Sequence, residues 1–174
     1  MKKSILMLVL LFCAGAAIAL AEDAVVTINL VSADGIGKEI GTITAKDTKY
    51  GLLLEPALSE LPPGVHGFHL HENASCEAAK KDDKMIAAQA AGAHLDPDKT
   101  GKHEGPYAAG HAGDLPPLYV GADGKAGTPV LAPRLKVSDL KGRSLMIHAG
   151  GDNFADQPNP LGGGGARIAC GVVK

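Results

Sequence analysis

From residue 25 to 31 apolar and polar side chains alternate, with Val26, Ile28 and Leu30 on one side and Thr27 and Asn29 on the other. This pattern predicts an amphipathic strand. Asp34-Gly35 marks a turn, and residues 38–46 form a second strand through Ile40, Thr42, Ile43 and Thr44. Residues 50–55 are a short apolar run that Pro56 should stop, and Pro62-Pro63-Gly64 turns the chain into a strand over 65–72. Strand character returns at 130–137, 144–148 and 167–173. Residues 77–90 have helical composition, but their apolar positions make no stripe, so a long loop is expected there. Residues 91–129 hold eight glycines and several prolines and read as loop, as do residues 150–165. Short strands, long loops and no helical period predict an all-β antiparallel sandwich or barrel.

A loop as long as 91–129 needs something to tie it down, and the histidines supply a candidate. All seven lie from His66 to His148. His69 and His71, in G-F-H-L-H-E, are two apart on a predicted strand and so share one face. His94 follows in A-G-A-H, then His103 in K-H-E-G-P, then His111 and Asp114 in G-H-A-G-D-L-P. Several imidazoles with one carboxylate suit copper and zinc rather than calcium or an iron–sulfur cluster. His66 reads as an ordinary satisfied histidine. Glu72 and Glu104, beside ligands, read as hydrogen-bonding groups.

The amino terminus changes the compartment. Lys2 and Lys3, an apolar run and Ala19-Leu20-Ala21 have the form of a secretory signal over residues 1–21, leaving a domain of 22–174. Left uncut, the apolar run would nearly span a bilayer. Cys13 offers a lipidation site, but bulky Phe12 precedes it. Cleavage leaves Cys76 and Cys170 as the only cysteines, and in an oxidising compartment one disulfide is the default. It also takes the formal charge from −2 to −4. A mildly acidic exported domain without tryptophan has no evident nucleic-acid face.

Taken together, G-F-H-L-H-E, A-G-A-H-L-D-P, G-K-H-E-G-P, H-A-G-D-L-P, I-H-A-G-G-D-N and G-G-G-A-R-I-A-C-G resemble the copper/zinc superoxide dismutases of the exported bacterial kind. The resemblance runs over essentially the whole predicted mature chain. It implies a Greek-key, Ig-like sandwich with long metal-binding and electrostatic loops, periplasmic location, and one copper and one zinc ion per subunit. It implies copper on His69, His71, His94 and His148, and zinc on His94, His103, His111 and Asp114, with His94 shared. Asp152 would accept hydrogen bonds from His69 and His103, Arg167 would guide superoxide, and Cys76 would pair with Cys170. Monomer and homodimer both occur in the family.

The implied chemistry agrees with the residue types. A ring shared by two metals coordinates through both nitrogens only when fully deprotonated, so the His94 nitrogen on the copper side can serve as a proton store. Lys80, Lys81 and Lys84 are candidates for longer-range attraction of the anion, or simply a solvated loop face. Family members commonly have glycine where Ala93 stands, and a residue forced to positive φ there would cost about 1 kcal/mol. The rival readings are a metal buffer without turnover, a zinc hydrolase, and a sandwich that has lost its metals. Arg167 weighs against the first, the closed four-ligand zinc set against the second, and the intact ligand set against the third.

Overall fold

The computed structural model describes residues 23–174, so the signal segment expected over 1–21 and Cys13 lie outside the described residues. Eleven strands follow in order: β1 (Ala24–Ser32), β2 (Gly35–Thr48), β3 (Gly51–Leu58), β4 (Gly64–His66), β5 (Phe68–His71), β6 (Ala79–Lys81), β7 (Lys84–Ile86), β8 (Leu118–Val120), β9 (Val130–Ala132), β10 (Arg143–His148) and β11 (Arg167–Val173). Seven form one antiparallel sheet in the order β5-β10-β11-β1-β2-β3-β9, which curls into the Greek-key sandwich the pattern anticipates. β4 and β8 make a separate ribbon, as do β6 and β7.

The interior is aliphatic apart from Phe68. Val26 and Ile28 from β1, Leu52 and Leu54 from β3, Phe68 and Leu70 from β5, and Leu145 and Ile147 from β10 are buried together. In β2 the inward positions pass from Ile40 to Ile43 and Ala45, which simple alternation cannot do. A register shift explains it: Ile28 pairs with Gly41 but Asn29 with Glu39, leaving one extra residue in β2. Gly41 sits at this bulge with φ 130°, where a Cβ would meet Ala57 O at 2.1 Å. A second, smaller cluster lies around the Cys76–Cys170 bond and contains Val31, Ala88, Ala91 and Met146.

Four expectations need correction. Pro56 does not end its strand: β3 continues to Leu58 with Pro56 opposite Ile43. The partner on the other edge, β9, reaches only as far as Leu54, so Pro56 breaks no ladder on that side. The run expected over 65–72 is two strands split at Gly67, with β4 pairing β8, a strand hidden inside the 91–129 loop. The run expected over 130–137 stops at Ala132 and gives way to a one-turn helix, α1 (Val137–Leu140). The 77–90 loop contains the β6–β7 hairpin, closed by Asp82 and Asp83, both at positive φ (49° and 63°). Positive φ at both central residues is the signature of a type I′ hairpin turn.

Candidate metal centre

β5 positions the first ligands by its period of two. Phe68 and Leu70 point into the core, so His69 and His71 point to the opposite face, and all four residues are buried. β10, the neighbour of β5, ends with His148, whose cross-strand partner is Arg167 of β11. Loop 91–129 folds back along the free edge of β5 through isolated bridges of His71 with His94 and His69 with Asp114. The sequence thus places three ligands on adjacent strands, and the loop delivers the rest.

The ligand atoms form two adjoining groups. Atoms of His69, His71, His94 and His148 lie within 4.8 Å of one another, as do atoms of His69, His94, His103 and Asp114. His69 falls in both because the groups meet at His94, with the rings of His69 and His94 only 3.9 Å apart. On the second side Asp114 Oδ1 lies 2.9 Å from His94 Nδ1, 3.0 Å from His103 Nδ1 and 3.3 Å from His111 Nδ1. One carboxylate oxygen thus faces three imidazole nitrogens, of which that of His111 is the most distant and stands outside the 4.8 Å group.

Whether metals fit can be tested on the nitrogens themselves. His69 Nδ1, His71 Nε2, His94 Nε2, His103 Nδ1, His111 Nδ1 and His148 Nε2 are buried without a hydrogen-bond partner. Leaving so many buried polar atoms unmatched is costly. In four of these rings the other nitrogen is tied down. His69 Nε2 and His103 Nε2 meet the two oxygens of Asp152 at 2.9 and 2.8 Å. His71 Nδ1 donates to Gly92 O at 3.0 Å and His148 Nδ1 to Gly165 O at 3.1 Å, whereas the other nitrogen of His94, Nδ1, belongs to the Asp114 cluster. An outer hydrogen bond that fixes the tautomer and frees the inner nitrogen is the usual arrangement of a metal-ligating histidine. The residues fit a copper and a zinc ion.

The electrostatics agree. Burial, with the neighbouring His94, pulls His69 down to about 3, and burial pulls His148 down to about 4. Burial also lowers His71 and His94, so these rings are neutral and ready to coordinate. Burial works against protonated His103 too, but the Asp114 carboxylate facing Nδ1 and the hydrogen bond with Asp152 outweigh it and raise His103 to about 9. Burial opposes ionisation of Asp114 and Asp152, yet their histidine partners hold both below the usual carboxylate range.

With this geometry in hand, comparison with known proteins identifies the family. The family model for copper/zinc superoxide dismutase (SODC) matches residues 39–173. The chain belongs to the copper/zinc superoxide dismutase family. It is 57% identical to superoxide dismutase [Cu-Zn] 2 of Salmonella typhimurium over 172 residues, covering 98% of each chain. Its structure is similar to that of the Brucella abortus Cu/Zn superoxide dismutase, with TM-score 0.86, 49% identity, and 88% of this chain and all of that one covered. The monomeric copper, zinc superoxide dismutase of Salmonella enterica matches with TM-score 0.80 and 57% identity over the same shares. As a superoxide dismutase, this chain is an enzyme that cycles copper beside a separate zinc-type site, with superoxide as substrate.

Other expected features can now be placed. Arg167 donates from Nη1 to Ala88 O and from Nη2 to Gly92 O, both at 2.6 Å. Cys76 and Cys170 are bonded, with Cα atoms 5.7 Å apart. Ala93 is not among the residues at positive φ, so its methyl group costs no backbone strain. His66 stands outside both groups: its ring nitrogens lie 2.7 Å from His148 O and 2.8 Å from Pro62 O. Glu72 accepts from Ala93 N at 3.2 Å, and Glu104 touches Asp114 only through its backbone N–H. Lys80, Lys81 and Lys84 stand exposed on the β6–β7 hairpin.

Three contributors escaped the sequence reading. Asp156 accepts from His103 N at 2.9 Å and Leu161 N at 3.2 Å, pinning the 150–165 loop to the zinc side. Gly162 closes that loop over the Asp152–His103 hydrogen bond, where at φ 70° a Cβ would meet Asp152 Oδ1 at 2.0 Å. Arg134 donates to four backbone oxygens of the zinc loop. The first two sit in text crowded with Gly, Asp and Asn, where nothing distinguishes one turn residue from another.

Proposed function

We propose that copper is held by His69, His71, His94 and His148, and zinc by His94, His103, His111 and Asp114. Convergence of unpartnered buried nitrogens on two adjoining points carries this reading. When bound, copper supplies a one-electron couple, and zinc, which has no redox chemistry, supplies fixed charge and geometry. The overall reaction is 2 O₂⁻ + 2 H⁺ → O₂ + H₂O₂.

The protein's own contribution is binding, orientation and proton handling. Arg167 carries permanent charge, and its two carbonyl bonds fix the guanidinium plane, leaving the remaining N–H groups for a diatomic anion. His94 Nε2 is the atom that holds a proton beside bound superoxide, because Nδ1 of the same ring is committed to the Asp114 side. Asp152 orients His69 and His103 together. Lys80, Lys81 and Lys84 add attraction at longer range, which salt screens.

The mature enzyme begins at Glu22 and works in the periplasm, supported by the signal-like text of residues 1–21 and by the disulfide. It acts as a monomer or homodimer. Mass analysis of protein released from the periplasm, with sedimentation of the same sample, reads both points.

Metal analysis of the mature protein combined with superoxide consumption tests the central reading. One copper and one zinc per chain are expected, with activity lost on copper removal and regained on copper addition. Full metal loading with no superoxide consumption would leave a passive metal binder.

A further inference from the structure

Arg134 follows β9 in the text Ala132-Pro133-Arg134-Leu135, and Leu135 is buried in the core, so the residue springs from a fixed point of the barrel wall. Its guanidinium reaches across to the zinc loop. Nε donates to Pro106 O at 3.0 Å, Nη1 to Gly110 O at 2.9 Å, and Nη2 to Gly105 O at 3.1 Å and His111 O at 2.5 Å. Among the described residues it forms no ion pair with a carboxylate. Its positive charge is matched by main-chain oxygens instead.

The acceptors come from two arms of one loop. Gly105 and Pro106 follow His103 by two and three residues, while Gly110 and His111 lie on the returning arm. Among the described residues, a backbone bond from His111 N to Lys102 O, 2.9 Å, is the one main-chain rung that joins these arms directly. Four carbonyl dipoles aimed at one place repel one another unless a cation lies between them. A planar group with five donors in a fixed fork matches that arrangement, and an ammonium point charge matches it only in part.

We propose that Arg134 is the positioning residue of the zinc site, a clamp that fixes the spacing of His103 and His111 through their backbones. The inference rests on the zinc assignment given above. It has a clear mechanical sense: residues 107–109, with exposed Tyr107, form an excursion that can vary outside the clamp without moving either ligand. His111 needs it most, because its Nδ1 makes no hydrogen bond and only faces Asp114 Oδ1, at 3.3 Å. Metal–ligand distances in such sites fall within about 0.2 Å of their usual values.

The test uses mature protein carrying Arg134→Gln or Arg134→Lys. Zinc affinity is measured by chelator competition, the visible spectrum is recorded with Co(II) in the zinc site, and melting is followed without metal. The glutamine form should bind zinc about 10- to 100-fold more weakly, the range typical for losing a group that orients ligands. Its Co(II) bands should shift or weaken, and lysine should restore part of both effects. Copper affinity should change by a smaller factor. Zinc affinity within about twofold of wild type and an unchanged Co(II) spectrum in the glutamine form would overturn the proposal. So would equal melting losses in both variants with the Co(II) spectrum intact, since Arg134 would then staple the fold and nothing more. A wild-type protein that takes up no zinc would instead overturn the zinc assignment, and this inference with it.

Discussion

Arg167 and His71 donate to the same oxygen, the carbonyl of Gly92, at 2.6 and 3.0 Å. The bond to His71 leaves its Nε2 free on the copper side, and the bond to Arg167 sets the guanidinium beside that side. One peptide group therefore fixes the distance between His71 and Arg167, the proposed copper ligand and the proposed guide of the substrate.

Arg167→Ala should keep both metals and lower the superoxide rate by tenfold or more, since loss of about 1.4 kcal/mol of transition-state attraction already gives tenfold. Arg167→Lys should recover part of the rate, because charge remains but one ammonium cannot hold Ala88 O and Gly92 O in the same plane. Wild-type activity should fall as salt rises, and less steeply in the alanine form. Pulse-radiolysis rates at two ionic strengths, with copper content checked in the same samples, decide this. Equal rates at full copper loading rule the role out.

The ligand partition has its own test. His111→Ala removes a ring that faces only the Asp114 side, so zinc should be depleted while most copper stays. His148→Ala removes a ring that lies beside His69 and His71, so copper should be depleted first. Metal content by mass spectrometry after dialysis reads both. Loss of the same metal to the same degree in both variants contradicts the partition.

The bond between Cys76 and Cys170 spans 94 residues. For a loop near 100 residues the chain-entropy estimate is about 4.7 kcal/mol, an upper guide for what the bond contributes. Free-thiol titration of the native protein should read zero. Cys170→Ser should destabilise the protein by about 2–5 kcal/mol and release metal more readily, because the segment from Cys76 to Gly92 carries the oxygens that hold Arg167 and His71. Unchanged melting would mean that Val31, Ala88 and Met146 hold that segment by packing alone.

Without metals, stability should peak near neutral pH. His69 and His148, held at about 3 and about 4, refuse protons that the unfolded chain accepts near 6.5. The folded state therefore weakens as pH falls below 6.5, by about 1.4 kcal/mol per pH unit for each proton of difference. His103 has the opposite sign. Raised to about 9, it contributes fully below 6.5, and that contribution is lost as pH rises through 9. Urea midpoints of the metal-free protein at about pH 5, 6.5 and 9.5 check this; a flat or steadily rising profile sinks it.

What could be read in advance follows from locality. His69 and His71 were legible because a strand of period two puts both on one face, and the first strand because alternation marks it. Pro56 misled because whether a missing N–H matters depends on how far β9 reaches, which is a fact about a partner. β6, β7 and β8, at three residues each, are too short for any period to show. Arg134 was invisible for a deeper reason: its partners are backbone oxygens, and every residue has one.

Asp152 places one oxygen on His69 and the other on His103. Under the proposed ligand assignment, a single carboxylate thus couples the filling of the two metal positions. Whatever factor zinc adds to copper affinity by settling this carboxylate, copper must return to zinc, because coupling free energies are reciprocal. Where that factor exceeds one, half-loaded protein is depleted relative to independent sites.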